Sequence, residues 1–146
     1  MKILLIILFC LSTHSCFSQF YLGYTENEVR DQIEASSPHK QIKKNFILQG
    51  GFSLIWEESN WTSVVYFNNK NISDLYVLIP NDANVLNYLI ERFNKDFYIV
   101  SDTYWRRYSN GKVYKIELVY SKTARQYVFS IMFFNSQKSQ IDDLKY

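Results

Sequence analysis

The amino-acid sequence predicts a single α+β domain in which helices pack on an antiparallel sheet, in the order α-βββ(β)-α-βββ. Three observations predict this class. Two stretches carry apolar residues at the spacing of a helix, several others alternate apolar and polar residues, and turn sequences rich in glycine or asparagine separate them. The 146-residue chain is long enough to bury a core of its own, so one domain is expected.

The first predicted helix begins after Thr25. Thr25 and Glu28 have the spacing of a capping box, and Tyr24 and Val29 have that of a hydrophobic staple. The apolar stripe of this helix is essentially Val29 and Ile33. We therefore expect the helix to bury only one narrow side.

The second predicted helix follows Pro80, with Asn81 or Asp82 as its N-cap. Its apolar residues recur at helical spacing and form a broader stripe, so we expect this helix to cover a sheet. They are Val85, Leu86, Leu89, Ile90, Phe93 and Phe97.

Strands are predicted in four segments in which apolar and polar residues alternate. These are 52–57, 73–79, 112–120 and 126–134. Turn signals separate them at Gly50-Gly51, at residues 68–71 and at Asn110-Gly111, which is the preferred type I′ hairpin dipeptide. Trp56-Glu57-Glu58 resembles Trp105-Arg106-Arg107 at a similar place in the second half of the chain. An internal repeat would explain this likeness, but two unrelated helix-capped meanders would also look alike.

An N-terminal leader is predicted over residues 1–18. Lys2 precedes the apolar run Ile3 to Leu11, and Cys16-Phe17-Ser18 offers small residues at the positions that signal peptidase requires. We expect a periplasmic or secreted protein that begins near Gln19, with lipidation at Cys16 as the alternative. The apolar run is too short to span a membrane, so no membrane span is expected. A polar C-terminal tail is predicted from about residue 136.

Charge is unevenly distributed along the chain. The formal net charge is +2, yet residues 19–91 sum to −4 and residues 92–125 to +5. A total this small argues against a dedicated nucleic-acid binder. The uneven distribution of charge has two explanations. The basic segment could form a face that binds an anionic surface or another copy of the chain, or the acidic and basic segments could simply pair with each other within one fold.

The opening of the first helix carries a family resemblance. Gly23-Tyr24-Thr25, with Val29 following and Pro38 closing the helix, is similar to the Gly-x-Thr helix opening of SmpA/BamE-type envelope lipoproteins and of the related β-lactamase-inhibitor-like domains. The resemblance implies a helix before an antiparallel sheet, and a protein that binds other proteins without catalysis. Ser37 stands where those families usually have glycine, and the spacing to the proline is longer. The whole mature chain resembles small secreted Bacteroidota proteins of unknown function.

Candidate catalytic groups are few. After the leader, His39 is the only histidine and no cysteine remains, so a zinc site or a Cys/His pair lacks its parts. Glu57 and Glu58 are adjacent in a strand and should point to opposite faces, so they cannot flank one glycosidic bond. Gly50-Gly51 lacks the residues of a phosphate loop. We expect no enzyme, no metal and no cofactor.

The candidate binding surface lies in DTYWRRYSNGKVYK, residues 102–115. A two-residue turn at Asn110-Gly111 pairs Arg106 with Lys115 and Trp105 with Ile116. One face of this hairpin then carries Tyr104, Arg106, Tyr108 and Lys115. Tyrosine and arginine are typical of binding surfaces, although placing Arg106 opposite Lys115 would also protect an exposed edge from aggregation.

Two functions are therefore predicted from the sequence. The first is a non-catalytic envelope or periplasmic protein that binds another envelope protein, or an anionic surface, through a sheet face or edge. The alternative is a small-ligand or glycan-binding module in which Trp56, Trp61 and Trp105 form an aromatic cluster that stacks on sugar rings. An exposed flat patch would favour the first, and an apolar cavity under the second helix would favour the alternative.

Overall fold

The computed structural model describes residues 20–47 and 50–134. It has two helices and eight strands in one antiparallel sheet, which places the domain in the predicted α+β class. The elements in chain order are α1 Glu26–Ser36, β1 Lys43–Phe46, β2 Phe52–Glu57, β3 Trp61–Phe67, β4 Ser73–Pro80, α2 Ala83–Asp96, β5 Tyr98–Ser101, β6 Tyr104–Ser109, β7 Lys112–Ser121 and β8 Gln126–Phe134. The predicted leader (1–18) and the predicted tail from about 136 lie outside the described residues.

The strand order across the sheet is β1-β2-β3-β4-β8-β7-β6-β5. Four strands run consecutively on each side, and the two sets meet where β4 pairs with β8, from Leu75↔Met132 to Leu78↔Phe129. The three strands predicted after the second helix are therefore four, because β5 was missed. Phe97, which the sequence placed on the helix, is its C-cap with extended φ and ψ of −128° and 163°, and β5 begins at the next residue.

Both helices begin at the predicted caps. In α1 the side chain of Glu28 accepts a hydrogen bond from the backbone N–H of Thr25 at 2.7 Å, which completes the capping box. Val29 and Ile33 are its buried residues, as its narrow stripe predicted. In α2 the carboxylate of Asp82 accepts from the backbone N–H of Val85 at 2.9 Å.

The core lies on one face of the sheet. Phe93 of α2 contacts the ring of Phe129 at 4.8 Å and that of Trp105 at 5.7 Å, between ring centroids. The buried residues of α1, Val29 and Ile33, belong to the same cluster. We call this side of the sheet the helix-side face. The strand residues that it buries include Leu54, Trp56, Val65, Tyr76, Leu78, Trp105, Ile116, Phe129 and Ile131.

Side chains between these positions point to the other side of the sheet, which we call the opposite face. The strand registers align it in rows from β2 towards β6. One row is Ile55, Val64, Val77, Ser130, Glu117 and Tyr104. The next is Ser53, Tyr66, Leu75, Met132, Lys115 and Arg106. These rows position the candidate site.

The β6–β7 hairpin has the predicted turn. Asn110 and Gly111 both have positive φ, 51° and 71°, as a type I′ turn requires. Arg106 pairs with Lys115 and Trp105 with Ile116, so the predicted register is confirmed.

Helices long and apolar enough to cross a membrane are absent from the described part of the chain.

Candidate functional site

The structure brings together three of the four residues predicted for the hairpin face. Arg106 Nε donates a hydrogen bond to Tyr104 Oη at 2.8 Å, and its guanidinium carbon lies 5.4 Å from the centre of the Tyr104 ring. Lys115 Nζ lies 5.6 Å from the same ring. Both cations therefore meet the electron-rich ring of Tyr104, an attraction that offsets some of their mutual repulsion.

Tyr108 is two residues further along β6 on the same face, where it pairs with Val113. Its side chain is 63% exposed and forms the outer end of the surface. Tyr98 of the edge strand β5 pairs with Arg106 and is 65% exposed. Sequence reasoning missed Tyr98, because β5 itself was missed.

Glu117 makes this surface less basic than predicted. It pairs with Tyr104 across the ladder, and Lys115 Nζ lies 2.8 Å from Glu117 Oε1. The alternation of side chains along β7 is enough to predict that Glu117 shares a face with Lys115. The ion pair between them is seen only in the structure. The local charge of Arg106, Lys115 and Glu117 together is thus +1.

The basic excess of residues 92–125 is not collected on one face. Arg107 lies on the helix-side face, with its guanidinium carbon 5.2 Å from the Phe20 ring. Arg92 pairs with Asp96 at 3.3 Å on α2, and Lys112 Nζ lies 4.8 Å from the ring of Phe133. Cations of this segment therefore lie on both faces of the sheet and on α2.

Apolar side chains occupy the middle of the opposite face. Ile55, Val64 and Val77 stand side by side on three neighbouring strands, and Leu75 stands beside Met132 where β4 meets β8. Val64 is 5% exposed although it lies outside the main buried cluster, while Ile55 and Val77 are half-buried. The hairpin surface is thus continuous with a hydrophobic centre.

The three tryptophans lie on the helix-side face, not on the surface. Trp56, Trp61 and Trp105 are 2%, 9% and 0% exposed. Trp56 stacks on Tyr76 with ring centroids 6.4 Å apart, whereas Trp105 packs in the other half of the sheet. These three indoles therefore form no common exposed platform.

Glu57 and Glu58 each have their own local partners. Glu58 accepts from Trp56 Nε1 and pairs with Lys40, each at 2.7 Å, whereas Glu57 accepts from Thr62 Oγ1 at 2.8 Å. The side chain of His39 is 94% exposed. Within the described ranges, no group of three or more His, Cys, Asp or Glu residues could hold a metal ion.

Comparison of the chain with protein-family models, curated proteins and solved structures found no match.

Proposed function

We propose that this protein is a non-catalytic binding protein that holds another protein of the cell envelope against the opposite face of its sheet. The observation that carries the proposal is the apolar centre of that face. Ile55, Val64 and Val77 form one hydrophobic row on it, while the buried side chains of both helices belong to the cluster on the helix-side face. Val64 is nearly buried, so the half-buried Ile55 and Val77 supply the accessible apolar surface of this row. Accessible apolar surface on a sheet face is typical of protein interaction sites.

The size of the face suits a protein partner. Strands lie about 4.8 Å apart and each residue advances about 3.3 Å, so eight strands of about six residues cover about 34 Å by 20 Å. The resulting area of about 700 Å² is close to the roughly 800 Å² that each partner contributes to an interface of standard size.

The hairpin surface supplies polar anchors at one end of the apolar rows. Tyr104, Arg106 and Tyr108 combine ring area with hydrogen-bonding ends, as side chains that dominate binding energy often do. Arg106 and Lys115 lie at the edge of the apolar rows, so they would contact carboxylates at the rim of the partner's interface. We expect these cations to contribute more to association rate than to affinity.

Site-specific photo-crosslinking in the producing cell tests the proposal. A benzophenone side chain would replace Tyr66 in β3 or Tyr104 in β6, which both lie on the opposite face. The matched control is Tyr88, a tyrosine of α2 that is 44% exposed. We expect one discrete protein adduct from Tyr66 and Tyr104 and none from Tyr88. The same adduct from Tyr88, or no protein adduct from the two sheet positions, would overturn the proposal.

We further infer that the chain is exported and that its halves arose by duplication. Residues 1–18 have the features of a leader, which supports export to the periplasm or the medium. In each half the second strand carries a buried tryptophan whose indole N–H donates at 2.7 Å, from Trp56 to Glu58 and from Trp105 to Asn94. Detectable similarity between the halves in related chains would test the duplication.

A further inference from the structure

The sheet ends in two edge strands that differ in how well they resist pairing with another chain. Within residues 20–47 and 50–134, no further strand pairs with the outer side of β1 or of β5. Open strand edges bind other strands, and lysine side chains on an edge are a common protection. Lys43 and Lys44 make up half of β1, whereas β5, with the sequence YIVS, has no charged residue. Of the two edges, β5 is thus the less protected.

Apolar side chains are exposed along β5 on both faces of the sheet. Tyr98 is 65% exposed and lies on the opposite face, where it pairs with Arg106. Ile99 pairs with the buried Trp105 on the helix-side face, yet it is 51% exposed, so α2 does not cover this edge. Val100 is 43% exposed. Three successive exposed apolar side chains on an open edge are suited to pairing with another strand.

The charged residues at the two ends of β5 are of opposite sign. Lys95 lies in the last turn of α2, just before the strand, and Asp102 follows the strand directly. Both residues are exposed, and neither forms an ion pair with another described residue. Asp96, the acidic group nearest the start of the strand, already pairs with Arg92 at 3.3 Å. The start of β5 therefore has an unpaired cation and its end an unpaired anion.

We propose that β5 pairs with β5 of a second copy of this chain, antiparallel and about a two-fold axis. Antiparallel pairing places the start of each strand beside the end of the other. Each Lys95 then lies near Asp102 of the other copy, and the symmetry forms this ion pair twice. In the ladder itself Ile99 lies opposite Val100, so apolar side chains meet and like charges do not. The same arrangement of β1 would bring four lysines together.

The contact is short and closes after two copies. β5 has four residues, and its register with β6 shifts between Ile99 and Ser101. Short, irregular edges limit pairing between chains, so we expect the contact to be weak and reversible. The two-fold axis uses the outer side of β5 in both copies, which leaves no free β5 edge for further growth.

The dimer would extend the sheet without covering its opposite face. β6 of one copy lies three strand spacings, about 14 Å, from β6 of the other. This distance exceeds the Debye length of about 8 Å at physiological salt, so the two Arg106 side chains repel each other little. Two hairpin surfaces would stand side by side for one partner. Dimerisation is measured without that partner, so it can fail while the proposed function holds, and the reverse.

Sedimentation velocity of the mature chain over a range of concentrations tests the proposal. We expect a reversible monomer–dimer equilibrium with a Kd on the order of 0.1 mM, because four residues per copy bury far less surface than a standard interface. A chain that stays monomeric at about 1 mM overturns the proposal. Species larger than a dimer also overturn it, because a two-fold contact at β5 cannot grow.

Ile99→Lys should raise the Kd at least about tenfold, because the two substituted positions lie near each other in the paired edge and repel. The matched control is Phe46→Lys in β1, where the side chain is 81% exposed at the other edge of the sheet. It adds the same charge and should leave the Kd unchanged. Equal weakening by the two variants, or no weakening by Ile99→Lys, overturns the proposal.

Exchange of the end charges tests the antiparallel arrangement. Asp102→Lys places a positive charge beside Lys95 of the other copy at both ends, so the Kd should rise about tenfold. Adding Lys95→Asp restores opposite charges and should return the Kd to within about threefold of its original value. Far-UV circular dichroism checks that each variant is folded. If the folded double variant dimerises no more tightly than Asp102→Lys alone, the ion pairs and the antiparallel two-fold arrangement are ruled out.

Discussion

Arg106 lies directly across the β6–β7 ladder from Lys115, and both cations approach one ring, that of Tyr104, at 5.4 and 5.6 Å. Like charges opposite one another in a sheet are destabilising unless something else holds them. Here the Tyr104 ring and the carboxylate of Glu117, 2.8 Å from Lys115, offset the repulsion. The repulsion between Arg106 and Lys115 is thus partly offset on the surface that we propose for binding.

Reversing both charges should slow binding to the partner captured by photo-crosslinking. Exposed charges act mainly on encounter rate, so we expect Arg106→Glu with Lys115→Glu to slow association by about tenfold at low salt. The control, Lys70→Glu with Lys95→Glu, makes the same total change at two exposed lysines on the β3–β4 turn and on α2. Surface plasmon resonance measures both. Equal rates for the two double variants would mean that the pair only protects a sheet surface from aggregation.

Lowering the pH should weaken the ion pair that joins α1 to the edge strand β1. Glu26 pairs with Arg30 at 2.9 Å and also with Lys44 of β1. Burial acts to raise the pKa of Glu26, but its hydrogen bonds to Lys44 and Arg30 outweigh burial and lower it. A lowered folded-state pKa means that the stabilisation is complete above the unfolded value of 4.5 and is lost as the pH falls through the folded-state value.

Glu26→Gln should therefore lower Tm at pH 7 by about 4 °C, the equivalent of about 1 kcal/mol, and the difference should shrink at pH values below 4.5. Asp31→Asn, an exposed position on the same helix, is the control and should show little difference at either pH. Thermal unfolding followed by circular dichroism gives both values. A Glu26→Gln difference that is as large at pH 3 as at pH 7 would contradict the ion-pair explanation.

The turn before β2 requires glycine at position 51. Gly51 has φ of +83°, and a Cβ there would lie 2.2 Å from the carbonyl oxygen of Phe67. Gly51→Ala should destabilise the domain by at least about 3 kcal/mol, because backbone strain and steric overlap add. Gly111→Ala is the matched control, with φ of +71° and no atom within 4 Å of the added methyl group, and should cost only about 1 kcal/mol. Urea unfolding that ranks Gly111→Ala as the more harmful would refute this.

Soluble sugars should not alter tryptophan fluorescence. Trp56, Trp61 and Trp105 are the only tryptophans of the chain and all are buried, so their emission should be blue-shifted and poorly quenched by acrylamide until the protein unfolds. Titration with maltoheptaose and chitohexaose should leave the intensity unchanged. Saturable quenching by either oligosaccharide would favour the glycan-binding alternative.

The exported protein should begin near Gln19 without a lipid. Cys16-Phe17-Ser18 suits signal peptidase, whereas Thr13, His14 and Ser15 before Cys16 are a poor context for lipidation. Intact-mass spectrometry of protein from the native cell distinguishes the two products. An acylated N-terminus at Cys16 would show that the protein is a membrane-anchored lipoprotein.

The candidate site was predictable as far as local geometry controls it. Asn110-Gly111 determines the β6–β7 register, and the register puts Tyr104, Arg106 and Lys115 on one face. Neighbouring strands decide the rest. Tyr98 reaches the site through β5 and Phe134 through β8, and the Phe134 ring lies 5.2 Å from the Arg106 guanidinium carbon. Such contacts join residues far apart in the chain, so alternation within one strand cannot reveal them.

The sequence by itself determined the helix caps, the alternation of the strands and the hairpin turns, because each depends on residues within a few positions of one another. Tertiary structure alone decided that β4 pairs with β8, which joins the two sets of strands into one eight-stranded sheet. It also decided which alternating row is buried under α2 and which faces away. Trp105 and Arg106 show the difference. Both are prominent in the sequence, but packing against Phe93 and Phe129 makes Trp105 a core residue, while Arg106 points to the opposite face.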